Sequence, residues 1–431
     1  MPPSFLEESR RAALEVYERE PVPTWRRSGF WTTTLRHLRL DELEPRRYEP
    51  AASFEDLPAV VRDALAGEEL GGLIVQRGAT SVYSWLDPAL AEQGVVLTSL
   101  EQAAEEHPEL VERWYMKRLS ADEGKFSAAT AALWTGGVFL HVPPEVRVEK
   151  PIQTVYLIDE PGTAQYAHTL GVVARFAECR VREYCLAPDL EGQALHAGAF
   201  ELYLEEGAQV ALAHLQDWGK GEVYDISIKR VEVGRDAHCS WVPLHLGGHL
   251  TKQVLDLITA ERGSGMRQNG LYFTEGDEHL DLFTTDEHEQ GDTTGDTVWK
   301  GALTGSSRAS YEGLIKIAHG AQNTHTYLQT HSMLLSPKAK ADAIPSLIVE
   351  TDNVSASHGG TVGEVDEELV YYMMTRGIPR TEAVRILVEG YFEPVVSKLG
   401  DEALETLVRA KVTAKLTAAE QEVEAYIAER S

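Results

Sequence analysis

The chain has 431 residues, 43% of them hydrophobic, and Asp and Glu outnumber Lys and Arg by 68 to 40, a formal charge of −28. That length is ample for two or three domains of roughly 100–200 residues with a packed core. So acidic a surface repels phosphate backbones and anionic membranes, which argues against nucleic acid and membrane partners. Three cysteines, Cys179, Cys185 and Cys239, with no Cys-x-x-Cys pair, argue against a disulfide framework and a self-contained cysteine-ligated cluster. The N-terminal segment has no apolar signal core, and no window reaches about 18 uninterrupted apolar residues, so a soluble cytoplasmic protein is expected.

Residues 1–150 read as a mixed, partly helical domain. Ser4 is placed to cap a helix through Leu6, Ala13, Leu14 and Tyr17, which Pro21 and Pro23 end. An aromatic and basic patch, Pro23-Thr24-Trp25-Arg26-Arg27, follows, and a second helical pattern spans Leu100–Leu119 with Trp114, Tyr115 and Met116 at core spacing. From 151 to 363 the texture changes. Short runs rich in Val, Ile, Leu, Tyr and Thr, such as Gln153–Ile158, Val223–Val233 and Leu314–Ala318, alternate with small polar turns. The turns resemble one another: Gly207-Ala208-Gln209, Gly234-Arg235-Asp236, Gly263-Ser264-Gly265, Gly305-Ser306-Ser307, Gly320-Ala321-Gln322 and Pro337-Lys338-Ala339. No helices intervene, which disfavours βαβ units. A weak repeat of strands and equivalent turns suggests a solenoid of stacked coils, although a sandwich also gives short strands. Residues 364–431 read as helical. Asp366 is a candidate N-cap, Gly377 a C′ residue with Pro379 beyond, and Leu404, Val408, Val412 and Leu416 form an i, i+4 stripe.

No nucleophile elbow, phosphate loop, dinucleotide fingerprint or His-Glu-x-x-His is present, so ATP- or NAD-driven chemistry on this chain is not expected. Two patches remain. Glu275–Asp296 holds acidic residues with His279 and His288 and no Lys or Arg; such carboxylates could serve a β-helix carbohydrate-active enzyme, although a charge run is more often a solvated loop. His319, His325, His331 and His358 form the second. On one strand the first three would lie too far apart to share an ion, whereas the spacing of His331 and His358 suits neighbouring coils about 4.8 Å apart.

The segment from Lys300-Gly301 through Ser357-His358-Gly359-Gly360-Thr361-Val362-Gly363 to Arg376-Gly377-Ile378 resembles the SufB/SufD family of iron–sulfur cluster assembly proteins, with similarity over about residues 265–395. Where SufB-like sequences carry a Cys and a Glu, this chain has Thr330 and Gly359, so it looks like the SufD side of the family; Thr cannot act as the soft ligand that a thiolate is. SufD-like sequences often read Cys-Ser-His where this one has Ala356-Ser357-His358. The resemblance implies a mainly β fold, a right-handed parallel β-helix between an N-terminal mixed region and a C-terminal helical domain. It also implies a non-catalytic scaffold that pairs through its β-helix with a SufB-like paralogue and through its C-terminal helices with a SufC-like ATPase. His358 is then the candidate cluster-building residue and His331 a weaker one, with Thr330, Gly359 and Gly360 shaping the site. Tyr391 and Phe392 are candidate ATPase contacts. No permanently bound cofactor is expected, only a transient iron–sulfur cluster at the interface with the paralogue; flavin is left open. A homodimer of the isolated chain, or a homodimeric metal-binding scaffold using the histidines, is the remaining alternative.

Overall fold

The structure, a computed structural model, describes residues 3–27 and 31–428. The last three residues of the C-terminal region therefore lie outside the described residues, as does the Arg27 side chain of the aromatic–basic patch. The N-terminal part opens with α1 (Ser4–Arg19), a hairpin of β1 (Thr24–Arg27) and β2 (Trp31–Thr34), and α2 (Ala59–Ala64). Then come β3 (Gly72–Arg77), β4 (Thr80–Leu86), α3 (Pro88–Glu92), β5 (Val96–Thr98), α4 (Leu100–Glu106), α5 (Pro108–Trp114), α6 (Lys125–Ala132) and β6 (Val138–Val142). Helix α1 runs where its apolar spacing places it, but Pro3 occupies the N-cap and no side chain caps it. The helix expected over Leu100–Leu119 is two helices. Pro108 has no N–H to bond back and so sits in the first turn of α5, where none is needed. Tyr115 is buried and Trp114 partly so, core residues as their spacing implied.

The central region comprises β7 (Ile152–Leu157), β8 (Ala164–Val173), β9 (Glu178–Leu186), β10 (Gln193–Leu204) and β11 (Gln209–Asp217). It continues with β12 (Glu222–Val233), β13 (His238–His245), β14 (Leu250–Thr259), β15 (Gly265–Thr274) and β16 (His279–His288). The last five are β17 (Thr294–Leu303), β18 (Arg308–Ile317), β19 (His325–Leu334), β20 (Lys340–Val349) and β21 (Ser355–Glu364). From β7 on, odd strands stack in one sheet and even strands in another, each parallel to the strand two further along the chain. That is a parallel β-solenoid of about eight turns, not a sandwich. Every turn singled out by composition joins two of these strands.

Alternate side chains point inward. Trp241, Trp299 and Leu328 from one sheet meet Leu282 and Ile315 from the other, all fully buried. Gly270 lies beside Trp299 in register, and a Cβ there would sit 2.2 Å from the indole, so glycine lets the ring lie across the neighbouring strand. The indole Nε1–H donates to Gln268 Oε1 at 2.8 Å, which satisfies its one polar group inside the core. At the turn, Gly305 has φ +65° and its Cβ position is 2.7 Å from the Gly276 carbonyl, so both conformation and stacking demand glycine. The sheets extend upstream of residue 151: β3 pairs with β7 and β6 with β8, while antiparallel β4 and β5 stand at that end.

Three helices, α7 (Glu367–Thr375), α8 (Arg380–Val396) and α9 (Glu402–Ala428), follow the last strand. The Asp366 carboxylate accepts from the amides of Glu368 and Leu369, and Gly377 at φ +86° ends α7, as the caps in the sequence indicate. Val384, Val388, Phe392 and Val396 on α8 pack with Leu404, Val408, Val412 and Leu416 on α9 against the outer side of the odd sheet, around Leu271, Phe273 and Ala302. No described helix is long and apolar enough to cross a membrane.

Candidate functional site at the open end of the solenoid

The two ends of the solenoid differ. The first ends in the short antiparallel strands β4 and β5, whereas the far end stops at parallel β20 and β21, which leave two ten-residue edges. Around them Leu347, Ile348, Val349 and Val362 are exposed, 38–46% of their surface accessible. Unpaired strand edges flanked by apolar side chains are a template for another chain.

His358 lies on this last coil. Its register partner is Leu328, an inward-facing, fully buried residue, so the imidazole continues an interior column out to where no further coil covers it. It is exposed. Thr330 and Gly360 are partners two residues along and share that face. A Cβ on Gly360 would stand 3.0 Å from Ala343 Cβ and 3.3 Å from Thr330 Cγ2, so glycine here admits the close packing of the last two coils. Gly359 faces open space, and a side chain there would meet nothing.

His331 does not join His358. The two are on neighbouring strands, as their spacing indicates, but His331 pairs with Thr361, three residues from His358. An odd offset turns the side chains to opposite faces, with a separation along the strand of about 10 Å. His331 belongs to a joint with the helices. Its Nδ1 lies 2.7 Å from Thr361 Oγ1, and its carbonyl accepts from the Tyr391 hydroxyl at 2.6 Å. Lys300, beside it in register, donates to the Tyr391 carbonyl at 2.7 Å and lies over that ring. Burial, then the Lys300 charge, lowers the His331 pKa. Lys300 and Thr361 went unnoticed as partners of His331 because register is not visible in a single sequence.

The choice of Tyr391 and Phe392 as exposed contacts is corrected. Phe392 is 1% exposed and stacks near Phe273, and Tyr391 is partly buried in the joint. The apolar surface left open lies on α7 and the start of α8: Leu369, Tyr371, Tyr372, Met374 and Ile386 are 39–69% exposed. The signal was present in α7 itself, whose run Leu369–Met374 has no polar face.

Glu275–Asp296 is not a solvated loop, and its carboxylates are divided among separate contacts. Asp281 on the outer face of β16 accepts from the Thr33 hydroxyl at 2.5 Å, whereas Asp286, an odd number of residues on, is buried between Leu257 and Ile315 in register. Glu275 and Glu278 instead hold Lys415 of α9. Burial pushes Glu278 up to about 7, against the pull of Lys415. The two carboxylates of this segment that meet, Glu275 and Glu278, are both committed to Lys415.

Among the described residues, no three His, Cys, Asp or Glu side chains converge to hold a metal ion. The three thiols are buried, and burial pushes each upward, Cys179 to about 12, so none offers a ready thiolate. His358 can contribute one imidazole to an iron site completed by other ligands.

The chain matches two family descriptions: "SUF system FeS cluster assembly, SufBD core domain" over residues 156–391 and "SufBD protein N-terminal region" over 80–154. It is 30% identical to the iron–sulfur cluster assembly protein SufD of Bacillus subtilis, over 92% of this chain and 91% of that one. A SufBD family protein of Staphylococcus haemolyticus is 26% identical, and one of Staphylococcus aureus 25%, each over 92% of this chain and 86% of the relative. Solenoid, helical tail and sequence likeness agree: the chain belongs to the SufBD family of iron–sulfur cluster assembly proteins and is SufD-like within it.

Proposed function

We propose that this chain is a scaffold subunit that pairs with a SufB-like paralogue through β20 and β21, and presents His358 at that junction to a nascent iron–sulfur cluster. The supporting observation is the open end: two unpaired edges, exposed apolar residues and a lone histidine share one coil. The cluster is cargo. His358 supplies a neutral nitrogen ligand to iron, and the paralogue supplies the thiolates that this chain's buried cysteines cannot. The exposed face of α7 docks a SufC-like ATPase. Because α8 follows α7 and is tied through Tyr391 to β19, motion at the docking face reaches the coil next to β21. On this reading the protein works in the cytoplasm.

The test is His358→Ala in cells that also express the paralogue and the ATPase. The ternary complex should purify intact, without the visible absorption of a cluster. A normal chromophore in a normally assembled variant would remove His358 from the mechanism. Failure of the unaltered chain to co-purify with either protein would remove the pairing itself.

A further inference from the structure

A second site, which does not depend on the scaffold reading, lies at the first residues of the even strands. It is a cavity of about 510 Å³ between β2 with the loop behind it and the first residues of β14, β16 and β18. Many basic side chains of this acidic chain are met by carboxylates. In the groove under α9, Lys411 pairs with Asp217, Lys415 with Glu275 and Glu278, and Lys220 with Glu275. The cavity beside β2 is different. Arg36 and Arg308 both line it, and among the described residues neither has a carboxylate partner. Asp277 is the one acid among the lining residues.

The fold concentrates the charge. Arg308 opens β18 and Lys340 opens β20, side by side in register on strands about 4.8 Å apart, with His279, which burial keeps neutral, opening the neighbouring β16. Arginine and lysine stacked directly across a ladder repel each other, and an anion beside them relieves the repulsion. The opposite wall is fixed in place. Thr33 of β2 is bonded to Asp281 at 2.5 Å and lies 3.3 Å from His279 Nε2, while Arg36 Nε donates to His37 Nε2 at 2.9 Å. Thr32 and Thr34 line the same space as the two arginines, as does Ser306, whose hydroxyl is already donated to the Gly276 carbonyl at 3.1 Å.

Guanidinium forks with hydroxyl donors suit the oxygens of a phosphate group. The cavity is larger than a phosphate ion needs. Its remaining wall is apolar and aromatic: Leu250, and His249 edge-on to Tyr224 with centroids 5.3 Å apart. We propose that this cavity binds the phosphate group of a small molecule, with Arg36 and Arg308 as its anion ligands.

The experiment is calorimetric titration of the full chain with inorganic phosphate and, separately, adenosine monophosphate, repeated on Arg36→Gln and Arg308→Gln. Both arginines are exposed, so circular dichroism and the melting temperature without ligand should not change. Saturable binding of at least one probe is expected, weakened about tenfold or more by each substitution. Binding of both probes alike means the anion alone is recognised; preference for the nucleotide means the aromatic wall takes part. Either supports the site. No binding of either probe, or binding untouched by Arg308→Gln, overturns it.

Discussion

At the scale of the residue, the solenoid carries charge where solenoids are usually greasy, and Asp286 is the clearest case. Its side chain is buried between Leu257 and Ile315; Thr297 lies near, yet neither carboxyl oxygen receives a well-formed hydrogen bond. Burial therefore pushes its pKa up to about 7. The fold favours the protonated acid, so between about pH 4 and pH 7 the native state binds more protons than the unfolded chain. Stability from this group is complete below the unfolded pKa and is lost as pH rises through about 7, at up to about 1.4 kcal/mol per pH unit. His245, held at about 3, and His279 and His288, held at about 4, act in the opposite direction, because burial keeps each neutral and acid must charge it. Whole-protein titration would mix these trends. The difference between wild type and Asp286→Asn isolates one: in urea melts the variant should gain on wild type at pH 8 and lose that gain at pH 5. A difference that does not vary with pH would mean that the carboxyl is charged in the fold or reached by water. Tyr391→Phe is the second test at this scale. It keeps the ring and removes the hydroxyl that bonds the His331 carbonyl, so a loss of about 0.5–1.5 kcal/mol is expected, with faster amide exchange along β19.

At the scale of the element, α7 and α8 divide the work of the tail. Substituting Asp for Phe392 should unfold the tail, since a charge would enter the packing against Phe273 and even truncation to Ala costs about 3–5 kcal/mol. Tyr371→Asp with Tyr372→Asp should leave the melting temperature within a few degrees and abolish ATPase capture, since both rings are more than half exposed. Retained capture by that pair would move the docking face elsewhere. These helices also mark what a sequence does and does not reveal. Their caps and the α9 stripe were legible because capping and i, i+4 spacing are local, and the solenoid turns were legible because most of them, though not Pro337-Lys338-Ala339, repeat the same demand for a left-handed residue. Which apolar residues of α8 face inward was not legible, since Ile386, Leu387 and Tyr391 flank the Val384, Val388, Phe392 stripe and blur its edge; nor was the register that sets His331 opposite Thr361 and Leu328 opposite His358, since slipping a strand by one residue changes no composition. His358 itself stood out through family likeness and two adjacent glycines, while the inward column it ends depends on strands far apart in sequence.

At the scale of the whole molecule, the asymmetry of the ends sets what the chain can assemble into. At the first end the parallel stack gives way to the short antiparallel strands β4 and β5. The far end leaves β20 and β21 with free backbone groups beside Leu347, Ile348, Val349 and Val362, and only one internal proline, Pro345, to blunt the edge. Pairing there satisfies the edges and buries the apolar residues at once, and a contact that joins far end to far end uses up that surface in both chains, so assembly stops at two chains instead of forming fibres. Without the paralogue, a second copy of this chain is the available partner. Purified alone, the chain should therefore dimerise with rising concentration in sedimentation equilibrium. Val349→Lys with Val362→Lys should hold it monomeric, placing charge on both edges with little effect on a core neither side chain belongs to. The same double variant should also fail to capture the paralogue, since both events use one surface, whereas ATPase capture through α7 should persist. Loss of dimer with full retention of paralogue binding would show that the two partners use different surfaces, and the open end would then be the site of self-association alone.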